Sequence, residues 1–217
     1  MIDIKFNDNI KHNYSSFKEI LKLDNYDDII YINCYNSLYN LPSLPNSLQI
    51  LYCAYNNLSN LPKLPNSLIH LNCSANNLSS LPELPNSLIN LYCSHNKLPS
   101  LPKLPNSLET LDCCTNEMCV LPELPNSLMD LWCHHNNLSN LPDLPNSLKS
   151  LYYNNNPIYI HIQKYFDGDT NIYNEYQNKI KIIFSNKIGN WYLDCKYNPK
   201  YLYCRKRLMK EYEELYG

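Results

Sequence analysis

Apolar and polar positions recur with a period of 20 residues from Leu41 to Ile160, where one unit is written six times without insertion or deletion. The copy Leu61–Ser80, LPKLPNSLIHLNCSANNLSS, shows the unit most clearly. A fixed period of this length predicts a stacked array, because no single unit can bury its apolar side alone.

The apolar positions inside the unit predict a short strand. Leu51 and Cys53 alternate with Ile50, Tyr52 and Ala54, so a strand would point one set into the core and the other to solvent. Stacking the copies places equivalent leucines of successive units about 4.8 Å apart in a parallel sheet. We call the side of this sheet that faces away from the core the strand face.

The segment Leu-Pro-x-Leu-Pro, which begins each copy, predicts an extended limb. Two prolines three residues apart fix φ and remove amide donors, so this segment cannot be helical. A polyproline-like conformation remains. The sequence therefore predicts strands on one side of the array and a limb without helices on the other, with modest curvature.

The register L-x-x-L-x-L-x-x-N-x-L, with cysteine in the third apolar position, resembles the leucine-rich repeat. In the first copy it is carried by Leu48, Leu51, Cys53, Asn56 and Leu58. The resemblance implies a β-solenoid repeat fold. Its short parallel strands would line a concave face, its convex limb would be extended and free of helices, and its end caps would be α-helical.

The 20-residue unit is similar to the repeats of bacterial effector proteins of the YopM and IpaH type, over Leu41 to about Asn156. This resemblance implies a protein-recognition module. IpaH-type proteins also carry a ubiquitin-ligase domain of several hundred residues behind their repeats. Only residues 157–217 follow here, without a matching Cys-x-Asp motif, so that activity is not expected. The bias towards asparagine, isoleucine and tyrosine also resembles repeat proteins of giant DNA viruses that infect amoebae.

Residues 1–40 are predicted to cap the solenoid, which is expected to span residues 41–156. Ser16 followed by Glu19 resembles a capping box and predicts a short helix. The segment from Ile29 to Leu38 then resembles a degenerate repeat with one residue missing. Divergence is expected here, because a cap covers an apolar edge with polar groups outside.

Residues 157–217 are predicted to form a helical C-terminal cap or tail. Asn156 and Pro157 favour a helix start, and Ile158 and Ile162 then fall on one helix face. The tail is longer than a cap requires, so it is also a candidate docking element.

Charge and apolar content exclude several classes of function. A net charge of -2 argues against a protein built mainly to bind nucleic acid. No segment has the apolar run of a membrane span, and residues 1–11 lack the apolar core of a signal peptide. We therefore expect a monomeric cytoplasmic protein, in the host cytosol if the chain is viral or effector-like, without membrane or nucleic-acid partners.

The spacing of the cysteines indicates that they have a structural role. Five of the 10 form one inward column with a spacing of 20 residues, and Cys34 continues it. A buried free cysteine packs as a small apolar side chain, and this spacing matches no zinc pattern. No metal or cofactor is expected, and reduced cysteines fit an intracellular setting. The column consists of Cys53, Cys73, Cys93, Cys113 and Cys133.

A column of asparagines is predicted to be structural. The chain turns after each strand, and a side-chain amide there can satisfy backbone groups that the turn leaves inside. The column consists of Asn56, Asn76, Asn96, Asn116, Asn136 and Asn156.

Variation between copies is concentrated on the strand face, which predicts a binding surface. Large aromatic groups provide contact area with few rotatable bonds, and tyrosine and tryptophan are common at interface hot spots. The alternative is that these aromatics only reflect a tyrosine-rich composition. The predicted protein-binding residues are Tyr52, Tyr55, Tyr92, His95, Asp112, Trp132, His134, His135 and Tyr152.

Two other functions remain open. Cys114 and His134 lie one repeat apart in the same column, which gives the first alternative, an effector-like enzyme or a metal site. Catalysis would need the thiol and imidazole within hydrogen-bond reach and an oxyanion hole, and no loop is present to build one. The second alternative is an adaptor in ubiquitin transfer that docks through the tail. We predict a binding module that is not an enzyme.

Overall fold

The structure, a computed structural model, describes residues 1–35, 37–175 and 178. Its internal contacts divide the chain into two units, Met1–Tyr165 and Phe166–Gly217. The first unit contains a sheet of nine strands in the order β2-β1-β3-β4-β5-β6-β7-β8-β9. The strands are β1 Ile2–Lys5, β2 Lys11–Tyr14, β3 Tyr31–Cys34, β4 Ile50–Tyr52, β5 His70–Asn72, β6 Asn90–Tyr92, β7 Thr110–Asp112, β8 Asp130–Trp132 and β9 Ser150–Tyr152.

The six strands β4 to β9 confirm the predicted array, one strand from each copy. They pair in parallel and in register, so that Leu51 lies opposite Leu71 and Leu71 opposite Leu91. The central leucines of β4 to β8 and the cysteines that follow them are fully buried. In the last copy Tyr153 replaces the cysteine and remains buried. The shared period of 20 residues therefore produces one continuous apolar interior.

The limb between successive strands is extended and has no helix, as the prolines predict. Each limb ends in a turn at the Asn-Ser pair, closed by a bond such as that from Leu68 N–H to the Pro65 carbonyl at 3.1 Å. The serine of that pair has a role that we did not predict. Ser107 Oγ donates to the Leu88 carbonyl of the preceding copy at 2.7 Å, and the equivalent serines of the other copies do the same.

The asparagine column is buried and bonded to the backbone, as predicted. Asn96 Oδ1 accepts the Leu78 amide at 3.0 Å, and its Nδ2 donates to the Cys73 and Cys93 carbonyls at 3.1 Å. The other five asparagines repeat this arrangement. Each asparagine thus satisfies groups of its own copy and of the copy before it, so the bonding has a direction along the chain.

The N-terminal segment is built mainly of strands, which the sequence did not predict. Strand β1 pairs antiparallel with β2 on one side and with β3 on the other. The predicted helix is only one turn, α1 at Phe17–Ile20, and Ser16 makes no side-chain cap. The predicted capping box is therefore wrong, and the Glu19 carboxylate accepts the amide and the hydroxyl of Ser15, one residue earlier in the chain.

Strand β3 continues the parallel sheet before the first full copy, in the segment where we predicted a degenerate repeat. It pairs in parallel with β4, with Ile32 opposite Leu51. Cys34 is fully buried and extends the cysteine column by one position. Of the residues that we assigned to this degenerate repeat, Asn36 lies outside the described residues.

After the array, helix α2 spans Pro157–Phe166 and buries Ile158 and Ile162. We expected Asn156 to cap this helix, but its side chain serves the asparagine column instead, bonding the Leu138 amide at 2.9 Å. Residues 176–177 and 179–217 of the predicted helical tail lie outside the described residues. Within the described chain, no helix is long and apolar enough to cross a membrane.

Candidate protein-binding surface

The strand face is formed by the residues that flank each buried leucine. In β6, Asn90 and Tyr92 point to this face while Leu91 is buried, and the other array strands repeat the pattern. The register brings the predicted central column together as a line of neighbouring side chains. This column consists of Tyr52, Asn72, Tyr92, Asp112, Trp132 and Tyr152.

One pair of aromatic side chains in the column interacts across an intervening strand. The Tyr92 and Trp132 rings, two strands apart, are stacked with centroids 6.5 Å apart and an interplanar angle of 29°. Strands two positions apart are separated by about 9.6 Å, so the two side chains lean towards each other. At the ends of the column Tyr52 and Tyr152 are exposed, at 37% and 55%.

Two carboxylates accompany the stacked pair. Asp112 lies on the strand between Tyr92 and Trp132, and Asp130 precedes the buried leucine of the next strand. Asp112 Oδ1 accepts the Cys114 amide at 3.2 Å, which fixes the orientation of the carboxylate. Partial burial raises the pKa of Tyr92, and the negative charges of Asp112 and Asp130 add to that effect.

The column that contains Tyr55, His95 and His135 adopts a backbone conformation that we did not predict. Its six residues have φ between 52° and 56°, the left-handed region, although none is glycine. That region costs a residue with a β-carbon roughly 1–2 kcal/mol. Thr115 is the most unusual member, because its side chain is β-branched. These residues therefore turn the chain out of each strand, in addition to presenting their side chains.

The geometry around Cys114 does not resemble that of an activated nucleophile. The side chains that influence the pKa of its thiol are Asp112, Ser94 and Thr115, and the His134 imidazole is not among them. Burial, together with the hydrogen bond to the Asp112 carboxylate, raises the pKa of Cys114 to about 11. At neutral pH the thiol is therefore protonated and is a poor nucleophile.

His134 also lacks the contacts of a general base. Its Nδ1 is buried without a hydrogen-bond partner among the described residues. Burial lowers the pKa of His134, and the neighbouring His135, whose ring centroid is 5.5 Å away, adds to that effect. Within the described chain no group of three or more His, Cys, Asp or Glu side chains is placed to hold a metal ion.

The strand face continues beyond the repeats onto β3, β1 and β2, which sequence reasoning missed. Tyr31 lies opposite Ile50, and Lys5 lies opposite Tyr31. Lys5 Nζ lies 5.1 Å from the Tyr31 ring centroid, and Lys11 Nζ forms a 2.7 Å salt bridge with the buried Asp3. The sequence signal that could have revealed the pairing of β1 with β2 is the alternation of Ile2 and Ile4 with polar residues.

Solved structures of bacterial effectors share this architecture. YopM from Yersinia enterocolitica is 44% identical over 56% of this chain, with a TM-score of 0.56. YopM from Yersinia pestis is 37% identical over 56%, with a TM-score of 0.52. The leucine-rich repeat domain of a Shigella effector is 37% identical over 64%, with a TM-score of 0.58.

This chain spans only part of the length of each of these proteins. This chain covers 27% of the first YopM chain, 42% of the second and 62% of the Shigella domain, in each case less than two thirds. No protein-family model matches the chain. No curated protein matches it.

Proposed function

We propose that this leucine-rich repeat protein, whose array is similar to those of bacterial effectors, binds a protein partner through its strand face and is not an enzyme. The observation that carries the proposal is the line of neighbouring outward side chains, four of six aromatic, that the register creates on the array. Such side chains are rare on a surface that only needs to stay in solution, and they are typical anchors in protein interfaces.

The nine predicted residues make up this proposed surface in two groups. Tyr52, Tyr92, Trp132 and Tyr152 supply aromatic area, and Asp112 supplies charge in their midst. Tyr55, His95, His134 and His135 lie beside them, where each strand has ended. Polar side chains around aromatic anchors agree with the usual anatomy of a protein interface.

A reducing compartment fits the thiols of the array, and we propose that the protein acts in a cytosol, that of the host if it is an effector. All eight cysteines within the described residues are free, and seven of them are buried. Reduced thiols of this kind are the norm in cytosolic proteins. We further propose that the chain works as a monomer, which light scattering after size-exclusion chromatography would test.

Affinity capture with matched variants tests the binding surface. Immobilised wild type, a Tyr92→Ala/Trp132→Ala variant and a Lys103→Ala/Glu123→Ala variant would be incubated with the same cell lysate. Lys103 and Glu123 are exposed on the limb side of the array, away from the strands. We expect proteins enriched by wild type to be lost with the aromatic variant and retained with the limb variant, as quantified by mass spectrometry.

Two outcomes would contradict the proposal. One is retention of every enriched protein by the aromatic variant, provided its circular dichroism spectrum matches that of wild type. The other is loss of those proteins when only the segment after residue 157 is deleted, which would assign binding to the tail.

A further inference from the structure

The N-terminal end and the middle of the strand face differ in which groups their carboxylates and aromatic rings contact. At the N-terminal end the Asp3 carboxylate pairs with Lys11, and the Tyr31 ring receives the Lys5 ammonium. Both contacts occur within the chain. This end of the face therefore shows which groups satisfy an acid and a tyrosine ring on this sheet: cationic side chains.

The middle of the strand face carries the same acceptors without the cations. Asp112 lies between the stacked Tyr92 and Trp132, and Asp130 is close enough to affect Tyr92 electrostatically. No lysine or arginine occurs at the outward positions of β4 to β9. Among the described residues, the only salt bridge is the one between Lys11 and Asp3.

We propose that the middle of the strand face binds an arginine side chain of a protein partner, with Asp112 pairing the guanidinium and the stacked Tyr92 and Trp132 rings contacting one of its flat faces. This inference rests on the proposed function, because it names the partner chemistry for the same surface. A guanidinium is planar, pairs with a carboxylate through two parallel hydrogen bonds and stacks on aromatic rings. Tryptophan and tyrosine are the rings that attract cations most strongly.

The positions of the groups fit one cation. Tyr92, Asp112 and Trp132 are direct neighbours in register, so the carboxylate lies at the base of the aromatic pair. Asp112 is half-buried, and a partly buried carboxylate attracts a cation more strongly than an exposed one, because water screens the charge less. Asp130 adds a second negative charge on the same face, which favours a basic segment over a neutral one.

Trp132 provides a direct signal for the test. The chain contains two tryptophans, Trp132 and Trp191, so a Trp191→Phe variant reports on Trp132 alone. The probe is a blocked Gly-Arg-Gly-Arg-Gly peptide, and its control is the same peptide with citrulline, which is isosteric and uncharged. We expect a saturable change in Trp132 emission with the arginine peptide and binding about ten-fold weaker with the citrulline peptide.

A matched pair of charge variants, made in the same Trp191→Phe background, locates the site. Asp112→Asn keeps an oxygen to accept the Cys114 amide, so the local fold is preserved while the charge is removed. Glu123→Gln removes one exposed charge on the limb side. We expect Asp112→Asn to weaken the arginine peptide about ten-fold and Glu123→Gln to leave it unchanged.

Equal weakening of binding by Asp112→Asn and Glu123→Gln would reveal non-specific charge attraction and overturn the inference. Equal binding of the arginine and citrulline peptides would also overturn it. The capture experiment separates this failure from failure of the proposed function. If Asp112→Asn retains partners that the Tyr92→Ala/Trp132→Ala variant loses, the strand face binds protein but not through an arginine.

Discussion

The two sides of the sheet come from the same three-residue strands, yet they differ in how uniform they are. In β6, Leu91 is fully buried, whereas Tyr92 next to it points outward and stacks on Trp132. Inward positions are filled by leucine or cysteine in nearly every copy, whereas the outward positions hold aromatic, amide, acidic and imidazole groups. The comparison teaches that stacking constrains the interior alone, because an inward side chain must fit its equivalents above and below.

The sharpest test of this difference substitutes neighbouring residues of one strand. Leu91→Ala would remove a fully buried side chain and lower the free energy of unfolding by about 2–5 kcal/mol. Tyr92→Ala would lose one ring contact and cost about 1 kcal/mol or less. Urea unfolding followed by circular dichroism measures both. Equal losses would mean that the strand face is part of the core.

The polar part of the interior should respond nearly as strongly. Asn96→Ala would leave the Leu78 amide without its acceptor and would remove one of the two asparagine donors from each of the Cys73 and Cys93 carbonyls, costing roughly 1–3 kcal/mol. Asn106→Ala, at an exposed limb position, is the control and should change stability by less than about 0.5 kcal/mol. An unchanged melting curve for Asn96→Ala would show that water can replace the hydrogen bonds of the Asn96 side chain without loss of stability.

Alkaline pH distinguishes buried thiols from groups on the strand face. Burial raises the pKa of Cys73 to about 12, above that of a thiol in the unfolded chain. Its contribution to stability is therefore complete below about pH 8.5 and is lost as pH rises towards 12, at about 1.4 kcal/mol per pH unit. We expect the free energy of unfolding of a Cys73→Ala variant to fall less steeply between pH 9 and 10.5 than that of wild type. Parallel slopes would contradict the burial of an ionisable group there.

A glycine substitution in the left-handed column should have the smallest effect on stability, and it should stabilise the protein. Thr115→Gly would relieve a β-branched residue at φ 52° and raise the melting temperature, with a gain of up to about 1 kcal/mol. Thr110→Gly, inside strand β7, should instead destabilise by about 1 kcal/mol, because glycine weakens a strand interior. Destabilisation by both would mean that the Thr115 side chain contributes more than its backbone costs.

The sequence was sufficient to predict the array because every copy repeats the same local rule. The alternation around Leu51 and Cys53 indicates a strand, and the constant period then fixes the register of all six strands. The prolines exclude a helix from the limb, and the asparagine column could be predicted because each turn needs a buried amide at that place. These features depend only on residues within one copy and on stacking.

Other features depend on contacts that no repeat encodes. The pairing of β1 with β3 joins segments outside the array, so Lys5 and Lys11 could not be assigned to the strand face from the pattern. The left-handed column contains tyrosine, alanine, histidine, threonine and asparagine. Because none of these is glycine, the sequence did not indicate a positive φ at this position. The serine bonds were missed because a hydroxyl in a turn is ordinarily solvated. For the binding surface, the sequence predicted which side chains face outward, but not that Tyr92 and Trp132 stack across Asp112.

The one-way bonding of the asparagine column has a consequence for biosynthesis. Each asparagine completes the copy that precedes it, as when Asn116 bonds the Leu98 amide. During synthesis, the last copy to have folded therefore keeps one amide without its asparagine partner until the following copy stacks on it. The last asparagine, Asn156, completes the array by bonding the Leu138 amide just before α2 begins.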